Sequence, residues 1–338
     1  MSSTPSTPQT TQIVESTAEE QRTPISLGRE SGGILVLLIF IAALILTTND
    51  FLTLTNLDNL VRQVAVFAIL SVGQLFVILT GGIDLSVGSV LGLSGGVTAL
   101  MLAAGVPIPL AILAGLLVGL VVGLVNGLLV SRLGLPPFIA TLGMLGIARG
   151  IVLLLTGART IAPMPDSFNI IANGFILGLP SLFWILILVA VIAAFVLGRS
   201  IFGRYVYAVG SNAESARLSG VPVNYVLLAV YSISGVLAGF AGVLTTSRLG
   251  AGIPTAGTGY ELQAIAGAVI GGASLSGAKG RTIGAVLGAL IMAILANGGN
   301  LLGVDPFYLQ IAIGLLIILA VYFDHLQGHS FNLLRRAA

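Results

Sequence analysis

Long apolar runs alternate along the chain with short polar joints, and the runs lack the period-two alternation of half-buried strands. Taking roughly 17–25 residues for a bilayer-crossing helix, the pattern predicts spans at about 31–48, 63–80, 87–104, 107–130, 136–156, 180–198, 226–247, 262–273, 282–298 and 307–323. The eighth run is short for a full crossing and reads as a tilted or re-entrant segment. Residues 1–30 are rich in Ser, Thr, Pro, Gln and Glu, hold no apolar run, and are expected to form a disordered tail. The first apolar run begins only at Ile34, so an uncleaved first span is expected rather than a signal peptide. Residues 324–338 form a second short tail.

One stretch interrupts this apolar pattern more strongly than any other in the interior. From Gly198 to Tyr225 it carries Arg199, Arg204 and Arg217. Within it, Ser211 and Glu214 have the S-x-x-E spacing of a capping box. Gly220 is placed to close the helix in a left-handed conformation, and Pro222 prevents continuation. The predicted helix, about Asn212 to Ser219, is far below the roughly 12–15 residues that are stable alone in water. It must pack on something, and Glu214 and Arg217 are spaced to pair across one turn. The stretch reads as a docking surface.

Composition turns the pattern into a class. Hydrophobic residues make up 56% of the 338 and charged residues only 8%, against about 25% in soluble proteins. This is an all-α integral membrane protein with about ten spans. Cysteine is absent, which excludes disulfides and thiolate metal sites. The net charge of +2 comes from scattered arginines, not a basic block, so nucleic-acid binding has no support. The two histidines, His325 and His329, lie in the C-terminal tail, so no histidine metal cluster or Ser-His-Asp arrangement can form within the spans.

Charge also orients the chain. With the N-terminus inside, ten of the 14 lysines and arginines fall on the cytoplasmic side and Arg62, Arg159 and Arg248 on the outer side, with Arg149 inside a span. Both termini and the 199–225 loop are then cytoplasmic. The segment Gly277 to Thr282 lacks the phosphate-loop spacing, because Lys279 follows alanine and precedes glycine. ATP binding by that route is excluded.

Glycine supplies the packing logic. Gly115, Gly119, Gly123 and Gly127 form one small-residue stripe, Gly88, Gly92 and Gly96 another, with shorter pairs at Gly235 and Gly239 and at Gly284 and Gly288. Such stripes let helix backbones approach closely in lipid, and packing within one subunit is the preferred reading. Residues 81–86 and 271–276 share the pattern GGxxLS, which either marks a duplicated helix pair or arises by chance.

Polar groups inside the spans are few: Gln63, Gln74, Asp84, Asn126, Arg149, Gln263, Asn297, Asn300 and Gln310. Asp84 either caps a helix starting at Leu85 or lines a transport path at a glycine-softened break. Gln74, Asp84, Asn126 and Asn297 are the candidate path residues, since amides can bond the hydroxyls of an uncharged solute. Arg149 either pairs with a backbone carbonyl or snorkels. A proton- or sodium-coupled carrier needs clustered carboxylates near the midplane, and only Asp84 offers itself. An energy source outside the chain fits better.

Several long motifs in one order carry a family resemblance: TGGIDLSVGSVLGLSG (80–95), PPFIATLGMLGIARG (136–150), GRYVYAVGSNAESARLSGVPV (203–223) and PTAGTGYELQAIAGAVIGGASLSGAKGR (254–281). Over about residues 34–323 the chain resembles the permease subunits of bacterial carbohydrate ABC importers, ribose permeases especially. The resemblance implies a ten-helix permease domain over 31–323, embedded in inner-membrane lipid as a homodimer. It implies an ATPase subunit on each cytoplasmic face and a periplasmic sugar-binding protein on the other. Residues 211–220, from Ser211 and Asn212 onward, correspond to the coupling helix that seats in the ATPase, with Glu214, Ala216, Arg217 and Gly220 at motif positions. ATP and magnesium belong to the partner, no cofactor to this chain, and it is not itself an enzyme. D-ribose is the expected sugar, with xylose, arabinose, galactose and fructose as alternatives, and a stand-alone secondary carrier as a more distant one. Arg62, Arg159 and Arg248 are expected either to dock the binding protein or to snorkel at the interface.

Overall fold

A computed structural model describes residues 38–39, 41–305, 307–319 and 322. The predicted tails, with both histidines, lie outside the described residues. Helical residues occupy the described part of every predicted run: α1 (41–47), α2 (Leu54–Leu79), α3 (Val87–Ala103), α4 (Ile108–Ser131) and α5 (Pro137–Thr156). A short helix α6 (Asp166–Asn173) and a hairpin of β1 (Phe175–Ile176) and β2 (Leu179–Pro180) precede α7 (Ser181–Arg199). Then come α8 (Ile201–Ser211), α9 (Ala213–Leu218), α10 (Val223–Leu249), α11 (Tyr260–Ile270), α12 (Thr282–Leu301) and α13 (Phe307–Leu319). Six of these, α2, α4, α5, α7, α10 and α12, are long and apolar enough to cross a membrane.

The core forms around α2. From Val64 to Leu79 every residue of this helix is buried, because α7, α10, α11 and α12 enclose it. A helix apolar on all sides has no face to give to water, and such a helix belongs at the centre. Outer helices show the complement, with Leu113, Leu117 and Val121 of α4, Ile147 and Leu154 of α5, and Leu188, Val191 and Phe195 of α7 all exposed. In water such a surface would drive aggregation; in lipid it is the expected exterior.

The glycine stripe of α4 packs inside the chain. A Cβ at Gly119 would strike the Gly235 carbonyl, one at Gly123 the Tyr231 carbonyl, and one at Gly127 the backbone of Leu228, so bare backbone is what lets α4 lie against α10. Gly267 and Gly271 meet Gly288 and Gly284 in the same way between α11 and α12.

The GGxxLS echo needs a change of register. After α2 the left-handed residue is Gly81, with the Gly82 amide bonded to the Val77 carbonyl. After α11 it is Gly272, with the Ala273 amide bonded to the Ala268 carbonyl. Both ends are the same 6→1 helix closure. The first glycine serves in one and the second in the other, so the two motifs are equivalent only when offset by one residue.

Candidate docking and transport sites

Two helices, not one, fill the predicted docking stretch. Ser200 caps α8 by accepting the Gly203 amide at 2.9 Å, and α8 runs through Ser211. The expected Ser211–Glu214 capping box is therefore not formed. Asn212 adopts an extended backbone (φ −163°) between the helices, and its Oδ1 accepts the Ser215 amide at 2.8 Å. Asparagine is at least as good a cap as serine, and Ser211 is already committed to the preceding helix. The far end closes as the sequence indicates: Gly220 is left-handed (φ 84°), and the Val221 amide bonds the Ala216 carbonyl. Ala216 is the one buried residue of α9, whereas Glu214 and Arg217 are 70% and 60% exposed and 3.9 Å apart, and Leu218 is 82% exposed.

This helix is seated on a firm base. The Ala278 amide donates to the Leu79 carbonyl at 2.9 Å, which ties the α11–α12 loop to the end of α2. The Tyr207 hydroxyl of α8 donates to the Gly280 carbonyl at 2.9 Å. Burial pushes the Tyr207 phenol up, against the opposing pull of Arg281, so it remains a neutral donor. Gly210 and Gly277 let the backbones meet, since a Cβ on Gly210 would overlap the Leu79 carbonyl. A cavity of about 290 Å³ opens beside this base, lined by Thr80, Gly134, Pro136, Val209, Ala213 and Tyr231 among others.

Three of the four candidate path residues come together. Asp84 Oδ1 accepts the Ser86 amide at 2.9 Å and the Ser86 hydroxyl at 2.6 Å, and Oδ2 accepts the Ser234 hydroxyl at 2.9 Å. Asn126 donates to the Ser86 oxygen at 2.9 Å. The Gln74 amide, oriented to satisfy both contacts, donates to the Asp84 carbonyl at 3.1 Å and accepts the Asp84 amide at 3.0 Å. α3 starts at Val87, and the Asp84 carboxylate accepts the Ser86 amide in the turn that leads into it, a bond of the N-cap type. Gln74, Asp84 and Asn126 are each at most 1% exposed. Asn297 stands apart, exchanging amide bonds with Asn56 at 3.2 and 2.8 Å and joining α12 to α2.

The three expected outer arginines share one end of the bundle. Arg62 donates to the Asn173 carbonyl at 3.2 Å and lies 5.3 Å from the centre of the Phe175 ring. Asn173 in turn bonds the Arg248 carbonyl, which brings Arg62 and Arg248 within electrostatic reach of each other. Arg159 is exposed in the loop after α5.

Arg149 takes the carbonyl role. Its Nη1 donates to Pro254 at 2.6 Å and Ala256 at 3.0 Å. The eighth predicted run holds a short helix: α11 has 11 residues, and the non-helical 250–259 that precedes it runs along the glycine face of α3. The sequence pattern does not single out Glu261, which stands one residue before the predicted 262–273 run. The structure puts its half-buried carboxylate in the first turn of α11, within electrostatic reach of Arg149. The signal available was the Gly257-Thr258-Gly259 run, which favours a break rather than a surface loop.

A family profile described as the permease component of the branched-chain amino acid transport system matches residues 56–321. The chain belongs to this permease family. It is 42% identical over 303 residues to the ribose import permease protein RbsC of Haemophilus influenzae, covering 88% of this chain and 94% of that one. The Bacillus subtilis protein of the same name is 44% identical over 294 residues, covering 86% and 90%. The D-allose transport system permease protein AlsC of Escherichia coli is 41% identical over 320 residues, covering 94% and 98%. No solved structure matches. With its family and its six long apolar helices, the chain is a multi-pass protein of the bacterial inner membrane.

Proposed function

We propose that this chain is the membrane-spanning subunit of an ABC importer that carries a monosaccharide, D-ribose first, into the cell by alternating access. The observation that carries the reading is the 42–44% identity to ribose import permeases across nearly the whole length of both proteins. D-allose is the second sugar, since the allose permease covers still more of the chain.

The remaining parts of the machine follow from this reading. The chain crosses the membrane ten times with both termini in the cytoplasm, and two copies enclose the path. A separate ATPase subunit binds ATP and magnesium and grips α9, and a periplasmic sugar-binding protein delivers the sugar to the opposite end, where Arg159 is free to meet an acidic lobe. Closure of the ATPase pair on ATP moves the α9 helices together, and hydrolysis resets them. The permease holds no cofactor. Support comes from α9 itself, a helix too short to be stable alone that exposes a charged pair and a leucine.

The test is co-purification with the ATPase and binding protein, reconstitution in vesicles, and uptake of radiolabelled D-ribose against D-allose and D-xylose competitors. ATP-dependent uptake that requires all three proteins is expected. Uptake by the permease alone under an ion gradient would replace the reading with a secondary carrier.

A further inference from the structure

The embedded part of this chain contains a strip of backbone that is not helical. Between α10 and α11 it tracks α3 from Ala99, against Gly252, through Gly92, against the Pro254 and Ala256 carbonyls, to Gly88, against the Gly257 carbonyl and the Glu261 carboxylate. That is about 16 Å along the α3 axis. Arg149, which reaches the strip from α5, lies about 18 Å from the start of its own apolar helix, well inside a candidate span. Non-helical backbone survives at membrane depth only where protein buries it or where it lines a water-filled cavity.

Part of the strip is open. Thr255 and Thr258 are exposed, Arg149 and Glu261 are half-exposed, and the neighbouring face of α5 is bare at Gly143, Gly146 and Gly150, with open space above each. Arg149 spends Nη1 on two carbonyls and makes no other hydrogen bond among the described residues. Glu261 takes the Gly259 amide at 3.3 Å through Oε1 and attracts Arg149 without a direct ion pair. A guanidinium, a carboxylate and two hydroxyls exposed to hydrocarbon would be costly. This face is therefore met by water or by protein rather than by hydrocarbon.

We propose that the strip formed by Arg149, Thr255, Thr258 and Glu261 lines the sugar path, and that Arg149 and Glu261 are the residues that contact the sugar's hydroxyls. The assignment rests on the sugar-import reading and names its site. A hydroxyl both donates and accepts, so adjacent sugar hydroxyls can accept from the open guanidinium N–H groups and donate to the carboxylate, both charge-assisted. The bare glycines leave room for a ring to pass. The Gln74–Asp84–Asn126 cluster offers neither, being enclosed on every side.

The chain has no cysteine, so single cysteines can be read directly. Thr258→Cys and, as a lipid-facing control on α7, Leu188→Cys are made in the assembled complex and treated with a charged methanethiosulfonate. Because the thiolate is the reacting form, the water-facing position is expected to react about tenfold faster or more. Glu261→Gln and Arg149→Gln, in complexes shown to co-purify with the ATPase, are expected to lower D-ribose uptake about tenfold to a hundredfold, the loss of one charged hydrogen bond. Equal labelling of Thr258→Cys and Leu188→Cys overturns the path. Fast labelling with undiminished uptake in both glutamine variants overturns the contact role. A native complex that hydrolyses ATP but imports none of D-ribose, D-allose or D-xylose overturns the sugar reading instead, and the labelling comparison still decides whether the strip faces water.

Discussion

Asp84 shows how a single residue changes meaning between sequence and structure. As a lone acid beside two glycines it reads first as a helix cap and second as a path lining. In the structure three bonds from Ser86 and Ser234, and the Gln74 amide on its backbone, make it the knot that ties α2, the 80–86 turn and α10. Ser234→Ala leaves Asp84 Oδ2 buried without its partner, and the expected loss of stability is about 1.5–3 kcal/mol, the range for a bond to a charged or strongly polar acceptor. Thermal unfolding in detergent measures it. A loss below about 0.5 kcal/mol, the level of an ordinary surface change, would mean that water reaches the carboxylate and that Asp84 lines a path after all. What the sequence left unreadable here is distance: Ser234 lies 150 positions away, and no spacing rule connects it to Asp84.

Among the elements, legibility follows from whether the signal is local. Apolar runs of span length and the Gly220 closure are local, and the structure bears them out as helices and as a left-handed turn. The capping box failed by one residue because α8, an amphipathic helix inside the polar stretch, consumed Ser211 and passed the cap to Asn212. Glu261 was hidden for the opposite reason. Its depth is set by the close approach of a glycine-lined segment to α3, which is a tertiary fact. For α9 the consequence is a clean separation of stability from coupling. The Glu214–Arg217 pair is exposed at 3.9 Å, so Glu214→Arg or Arg217→Glu is expected to shift stability by less than about 1 kcal/mol. If α9 seats in the ATPase, either reversal should cut ATP-driven uptake about tenfold or more while insertion is normal. The double reversal restores the internal attraction but presents the partner with swapped charges, and it should be no better. Uptake equal to the unaltered protein in both single variants removes the coupling role from this helix.

On the scale of the whole molecule the two ends differ in kind. One end collects α8, α9 and the α11–α12 loop into a base on which backbones meet through Gly210 and Gly277. The other interlocks loops, with Ile161 and Gly252 exchanging backbone bonds, and carries Arg62, Arg159 and Arg248. On the proposed reading the excess of cations at the first end places it in the cytoplasm, because lysine and arginine near span ends are retained inside. This orientation is what allows an ATPase to reach α9 and a binding protein to reach Arg159, so every other assignment depends on it. Ser215→Cys on α9 and Arg159→Cys in the loop after α5 both place a thiol at an exposed position of an otherwise cysteine-free chain. In right-side-out membrane vesicles a membrane-impermeant maleimide should label Arg159→Cys at once and Ser215→Cys only after the vesicles are opened. The reverse order would turn the molecule over and put α9 beyond the reach of any cytoplasmic ATPase. Labelling of both before opening would place the two ends on one side and overturn the single crossing, by α7, that the proposed topology puts between residues 159 and 215.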